Sequence, residues 1–306
     1  MKEYLFRVAD FLLAVRFPDG CEPALLLPSF GPFRVTDPAA GELLLTCEVR
    51  PLDTTAPLPL SGPLLEESLN DMGVVRLHAR SEGYVVTLSP PGGAVHVMES
   101  NSRFSEVRIG LRFGEREAGS ILGSLLRIAY SQAILYHEAI SIHASAVFRE
   151  GLAYLFMGRS GTGKSTHSSL WIRHIPGTEL LNDDNPTVRI RKGMAWAYGT
   201  PWSGKTHCYR PLAFPIGGMV RLTQAPENRF RYQEGADAFV ALYPGCSAIC
   251  QDPELRSRLY DTVIRLAEAA PVGLLACRPD RDAALLCCEA LCEVRRNAEL
   301  TTLTNV

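Results

Sequence analysis

Leu152-Ala-Tyr-Leu-Phe-Met157 is an uninterrupted apolar run that feeds without a spacer into Gly158-Arg-Ser-Gly-Thr-Gly-Lys-Ser-Thr166. No other stretch of the chain restricts its fold so tightly. The text fits G-x-x-x-x-G-K-[ST], with a buried-strand pattern before it and a helix-compatible segment after it. Gly158, Gly161 and Gly163 permit backbone conformations and close approaches that a Cβ would block. Successive N–H groups, from Gly158 through Ser160 and Thr162 to Thr166, can then point inward as an anion nest. That nest sits at a helix N-terminus, where the helix dipole favours negative charge. Lys164 would reach the terminal phosphates of a nucleoside triphosphate, and the Ser165 hydroxyl would ligate Mg²⁺.

The next constraint follows quickly. Leu180-Leu-Asn-Asp-Asp184 is an apolar run ending in two carboxylates, and Asp183 lies only 19 residues after Lys164. That gap holds one helix, about residues 164–174, and a turn. Many nucleotide-binding chains of this kind place their acidic strand much later, so the short gap discriminates among them. Adjacent residues on a strand point to opposite faces, so one carboxylate can face a metal while the other faces an incoming nucleophile only if the strand ends there. Near Mg²⁺ and a phosphate, one of the pair can act as general base.

Around these motifs the chain divides in two. Residues 1–118 are expected to form a smaller β-rich N-terminal domain and residues 119–306 the nucleotide-binding domain. In the first half, runs such as Ala24–Leu27, Glu42–Val49, Val74–Ala79, Tyr84–Leu88 and Ala94–Met98 are bounded by Pro, Gly and Asp and predict strands. Residues 50–66 carry four prolines and predict an extended loop. His78 and His96 fall within strand-like runs and are expected to be structural. From Gly119 to Ala139 apolar residues recur at three- and four-residue spacing, which predicts a helix and sets the boundary before it. Ile140–Phe148 and Leu152–Met157 predict a hairpin. Strands are expected at Glu179–Leu181, Thr187–Ile190, Ala195–Tyr198, Gly218–Leu222 and Val272–Cys277, and helices at about 234–243, 253–269 and 281–296.

Composition excludes several alternatives. Hydrophobic residues make up 46% and charged residues 21%, and 25 Gly with 21 Pro is too few for a low-complexity chain. Arg7, Asp10 and Arg16 break the opening apolar run, so a secretory leader is not expected, nor is a membrane span. Six of the nine cysteines follow residue 245 and none forms a C-x-x-C pair. The i,i+4 pairs Cys246/Cys250 and Cys288/Cys292 could share helical faces. Without a second pair at zinc-like spacing, the nine are expected to be reduced, mostly buried thiols of a cytoplasmic protein. A formal net charge of −2 gives no field to attract nucleic acid or an anionic membrane. That value hides +5 on residues 158–210 and −7 elsewhere, a cationic phosphate-handling segment on an acidic body.

His143 in Ser141-Ile-His-Ala-Ser-Ala-Val147, the glycine-rich loop and Asn182-Asp183-Asp184 occur in the order and approximate spacing of HPr kinase/phosphorylase. The loop text is also similar to that of phosphoenolpyruvate carboxykinase, which shares the fold. The resemblance spans roughly residues 140–230. It implies a carboxykinase-like α/β core with a mixed sheet that binds ATP and Mg²⁺. It also implies that Asp183 is the base that deprotonates the acceptor serine, that Asp184 is a Mg²⁺ ligand and that His143 supports the base. Read from the residues alone, His143 is equally a hydrogen-bonded core histidine.

The departures from that family matter as much. Its second signature contains an acid, whereas the corresponding Tyr198-Gly-Thr-Pro-Trp-Ser-Gly-Lys205 contains none. This text is similar instead to uncharacterised carboxykinase-like proteins. Lys205 could meet a phosphate and Trp202 a base or substrate, or the segment could be a structural turn around a core Trp. Gln224-Ala-Pro-Glu-Asn-Arg229 resembles the family's loop with a phosphate-sensing arginine, which makes Arg229 a candidate. No counterpart of the carboxykinase metal-binding Lys and His precedes the loop, so decarboxylation is not expected.

The expected activity is ATP- and Mg²⁺-dependent transfer of the γ-phosphoryl group to a hydroxyl, with a peptide serine, a carrier-protein serine or a small alcohol all compatible. The alternatives are a module that binds nucleotide without turnover and a plain ATPase. The family's hexamers make a homo-oligomer a further expectation of the resemblance.

Overall fold

The computed structural model describes residues 1–52, 60, 62–70, 72–204 and 206–304. The chain forms two compact units, Met1–His137 with Ala248–Arg256, and Glu138–Ser247 with Ser257–Val306. Each is built on a mixed sheet.

In the first unit the opening apolar segment turns back on itself as a hairpin of β1 (Lys2–Val8) and β2 (Phe11–Phe17). There follow α1 (Pro23–Leu26), β3 (Arg34–Val35), β4 (Glu42–Pro51), β5 (Leu64–Asn70), β6 (Gly73–Arg80), β7 (Gly83–Ser89), β8 (His96–Asn101), β9 (Glu106–Leu111) and α2 (Ala118–Ala133). The sheet runs β3-β1-β2-β4-β9-β8-β7-β6-β5. Ala24–Leu27, expected as a strand, is a helical turn, because Pro23 occupies the first helical position where its fixed φ is favourable. The sheet also claims the ends of the expected 50–66 loop, whose residues 53–59 and 61 lie outside the described residues.

The expected boundary before residue 119 falls at the start of α2, but the first compact unit continues through it to His137. Ile121, Leu122, Leu125, Leu126, Ala129 and Tyr130 are all fully buried, so this helix is the core of the first unit. With the short 3₁₀ turn after it, it is long and apolar enough to cross a membrane, yet 67% of that window is buried. His78 and His96 belong to this unit too. His78 Nδ1 lies 3.3 Å from Gly62 O, and the buried His96 bridges Glu115 and the Arg112 amide.

The second unit contains β10 (Ala139–Ser141), β11 (Ala144–Arg149), β12 (Leu152–Met157), α3 (Lys164–His174), β13 (Glu179–Asp184), β14 (Thr187–Arg191) and β15 (Met194–Tyr198). It continues with β16 (Ala213–Gln224), β17 (Arg229–Gln233), α4 (Gly235–Leu242), α5 (Pro253–Ala269, in this unit from Ser257 on), β18 (Val272–Cys277) and α6 (Arg281–Thr304). The main path is β10-β14-β15-β16-β12-β11-β13, with β18 on β16 and β17 on β18. β12, β16 and β18 are parallel neighbours, so their C-terminal ends share one edge, the place where such sheets receive ligands. The single expected run Ile140–Phe148 is split. β10 pairs with β14 and β11 with β12 and β13, and the chain crosses between these partners at Ile142–His143.

The core of this unit joins Tyr154, Phe156, Trp171, Val220, Leu222, Leu275 and Leu291. None of the nine cysteines, all of them among the described residues, forms a disulfide. Cys288 is pushed up to about 11, first by burial, and so is held as the thiol. Cys246 and Cys250 are not on a common helix face, because helix α4 has already ended at Leu242.

Candidate functional site

The glycine-rich segment connects β12 to α3, as its flanking patterns predict. Gly158, Gly161 and Gly163 have φ of 155°, 78° and 106°, and Gly163 is the left-handed residue from which α3 springs. A side chain at such angles would be strained, which is why the loop spends three glycines here. Thr162 Oγ1 donates to Arg159 O at 2.6 Å, closing the turn. Ser160, Ser165 and Thr166 are exposed. Lys164 Nζ donates to Gly158 O at 3.2 Å, so the ammonium lies over the loop it follows. Burial lowers the Lys164 pKa, and the charges of Asp184 and Asp183 oppose that shift.

Sheet register carries the acids to this loop. Ala144 of β11 pairs with Met157, the last residue before Gly158, and on its other side with Asp184. Met157, Ala144 and Asp184 thus form one row across three strands, a span of about 10 Å at ordinary strand spacing. His143 immediately precedes Ala144 in the chain and lies beside the Asp184 end of this row. Its Nδ1 lies 3.0 Å from Asp184 Oδ1. The Asn185 side-chain amide donates to Asp184 Oδ2. Lys164, His143, Asp183 and Asp184 are therefore brought together.

The two carboxylates have different surroundings. Asp183 pairs with Ser145, and directly opposed residues share a face of the sheet. Ser145 Oγ accepts from Ser168 Oγ of α3 at 2.6 Å, so Asp183 stands on the α3 face. It is 5% exposed, and its Oδ1 is buried without a hydrogen-bond partner among the described residues. Asp184 is 29% exposed and is held by His143 and Asn185. The resemblance had paired the histidine with the base at 183; in this structure it meets Asp184.

The donors suit a hard cation. Ser165 and Asp184 offer oxygen donors, the kind Mg²⁺ prefers. Among the described residues no three His, Cys, Asp or Glu side chains converge as a metal cage. A cation here would take most of its ligands from phosphate and water.

Other expected residues fall elsewhere. Arg229 begins β17, three strands from β12 by way of β16 and β18, or about 14 Å at ordinary spacing. Its guanidinium pairs with the exposed Glu227 at 2.6 Å. The contact that this stretch makes with the loop comes instead from Gln224, whose Nε2 donates to Gly161 O at 3.3 Å. Lys205 lies outside the described residues. Trp202 is buried at 8% exposure, so its ring is a core element of its turn.

One residue went unnoticed in the sequence. His167, one turn after Lys164, is buried on the face of α3 that carries Trp171, and Trp171 Nε1 donates to its Nε2 at 3.1 Å. Burial lowers its pKa to about 4. The i,i+4 spacing of His167 and Trp171 beside a basic last turn was its available signal. Because the folded value lies below the unfolded 6.5, the folded protein binds fewer protons between those limits. Stability should therefore be full above pH 6.5 and fall toward pH 4, by about 3 kcal/mol in all. Urea unfolding across this window should show a shallower slope in His167→Gln than in wild type. An unchanged slope would remove His167 as its source.

No protein-family model and no curated protein matches this chain. Among solved structures, it is similar to the Hpr(Ser) kinase/phosphatase from Coxiella burnetii at 14% identity and a TM-score of 0.33. The alignment covers 54% of this chain and 95% of that one. A likeness of that size carries no argument about chemistry.

Proposed function

We propose that the second unit binds ATP with Mg²⁺ and transfers the γ-phosphoryl group to a hydroxyl acceptor. The observation that carries this reading is the row Met157–Ala144–Asp184, which sets a glycine-rich helix N-terminus beside two differently held carboxylates. The loop amides and Lys164 would hold the phosphates, and Ser165 and Asp184 would hold Mg²⁺, which supplies charge neutralisation to the transferring group. Asp183 Oδ1, buried with no donor among the described residues, would accept the proton of the acceptor hydroxyl. The acceptor oxygen then forms its bond to the γ-phosphorus as the bond to the bridging oxygen breaks, and ADP leaves. His143 holds Asp184 in place through its Nδ1 contact. Positioning and fixed charge supply most of the acceleration in such a reaction.

The acceptor is a serine-bearing peptide or protein or a small alcohol, and Lys205 is a further candidate for phosphate contact. Incubation with γ-labelled ATP, Mg²⁺ and a serine peptide library should move label into peptide, and Lys164→Met should lose most nucleotide affinity. Tight ATP binding with neither label transfer nor ADP formation would overturn this reading in favour of a nucleotide-binding module. ADP formation without any labelled acceptor would mark a plain ATPase.

A further inference from the structure

Among the described residues β13 is the last strand on its side of the sheet, so one of its edges has no strand beside it. Residues 199–204 and 206–210 lie along that edge as an irregular strap running antiparallel to it. Ser203 bridges to Asp184, and Gly204 N–H donates to Asp183 O at 2.8 Å. Further along, Cys208 Sγ lies 3.4 Å from Leu181 O and Arg210 pairs with Glu179 at 2.8 Å. Glycines permit the approach: a Cβ on Gly199 would lie 2.1 Å from Arg210 O, and one on Gly204 would lie 2.7 Å from Asp183 O.

A buried polar knot ties strap and acids together. Asn182 and Thr200 are both 0% exposed. The Asn182 amide donates to Thr200 O and Oγ1 at 3.3 Å each and to Trp202 O at 3.1 Å. Its Oδ1 accepts the N–H groups of Asp184 at 3.1 Å and Asn185 at 3.0 Å. Thr200 Oγ1 in turn donates to Asn185 O at 2.7 Å and accepts from Trp202 N–H at 3.3 Å. The Asn182 side chain thus bends the backbone immediately after the acid pair, and Thr200 locks the bent segment from the other side. Every polar atom of this knot touches the backbone of residues 184–185 or of the strap, and Asn185 carries the amide that holds Asp184.

We propose that Asn182 and Thr200 are positioning residues for the Asp183–Asp184 pair, and that the 199–204 text exists to latch that pair rather than to touch nucleotide. The inference rests on the functional reading above for its consequence in catalysis, while the latch itself is independent of that reading. Thr200→Val keeps the side-chain shape and removes the hydroxyl, and Thr200→Ser restores it.

In Thr200→Val the Gly204 amide should exchange with solvent at least about 10-fold faster, and the His143 imidazole resonances, which report its contact with Asp184, should move. Thr200→Ser should resemble wild type in both. Turnover in Thr200→Val should fall by about 10–10², the scale of an ångström-level misplacement of a reacting group, with ATP affinity unchanged. If Thr200→Val does not accumulate as folded protein, Thr200→Ala carries the same predictions. Unchanged exchange and unmoved His143 resonances overturn the latch. A disturbed latch with normal turnover overturns its catalytic consequence. Disturbed exchange and resonances in a protein whose wild type transfers no phosphoryl group leave the latch standing and overturn the functional reading alone.

Discussion

Asp183→Asn should reduce phosphoryl transfer by about 10²–10³ while leaving ATP affinity within about twofold of wild type, the loss typical when one preorganised group is removed from a reacting centre. The substitution keeps the side-chain shape and removes the proton-accepting charge. On the proposed reading ATP affinity should hold, because the phosphate contacts would come from the loop 158–166 and Lys164, on another strand and helix. The same variant should be at least as stable as wild type. Asp183 is 5% exposed and its Oδ1 has no donor, and a buried carboxylate without full hydrogen bonding is costly to the fold. Neutralising it relieves that cost. Activity and stability would thus move in opposite directions, as they do where strain is retained for function. Single-turnover transfer, ATP titration and thermal melting check the three parts. A variant with normal transfer removes Asp183 as the base, and one that melts well below wild type shows that the carboxylate is structural.

Trp171→Ala should cost about 3–5 kcal/mol, the usual range for emptying a large aromatic site. Trp171 is fully buried between Tyr154 and Phe156, at ring-centroid distances of 4.9 and 5.2 Å. These contacts fasten α3 to β12, the two elements that carry the glycine loop. Total stability is commonly about 5–15 kcal/mol, so the loss is a large share of it. The indole N–H also satisfies His167, and its removal leaves that imidazole without the donor. Urea unfolding followed by far-ultraviolet dichroism measures the cost. Trp171→Phe, which keeps a ring and loses only the N–H, should fall much nearer wild type. Equal stability of Trp171→Ala and wild type would contradict the packing described for this helix.

The glycine loop was legible because its information is local. Strand pattern, glycines, Lys164 and Ser165 are contiguous, and their backbone conformations follow from residue type. Asp183 and Asp184 were legible as an acid pair closing an apolar run, but the strand expected to stop at Leu181 runs through both of them, because β11 pairs with it as far as Asp184. The α2 segment was legible as a helix but not as a member of the first unit, because periodicity reports that a face is buried and not against what. Ala24–Leu27 was misread as a strand because four apolar residues suit either state, and Pro23 decided in favour of a turn of helix. Arg229 was placed near phosphate by the text around it, while the strand order sets it on the far side of β16 and β18.

The sequence by itself determined that this chain contains a glycine-rich turn between a strand and a helix, followed within one helix by a pair of carboxylates. Those properties depend on residue type and on separations of a few positions. Only the tertiary structure decided that His143 meets Asp184, that Asp183 stands on the α3 face with an oxygen left unpartnered, and that Gly199–Gly204 straps the acidic strand. Each of these depends on register between strands far apart in the chain. A shift of one residue would turn every side chain to the opposite face, and no single segment records which register its neighbours will adopt.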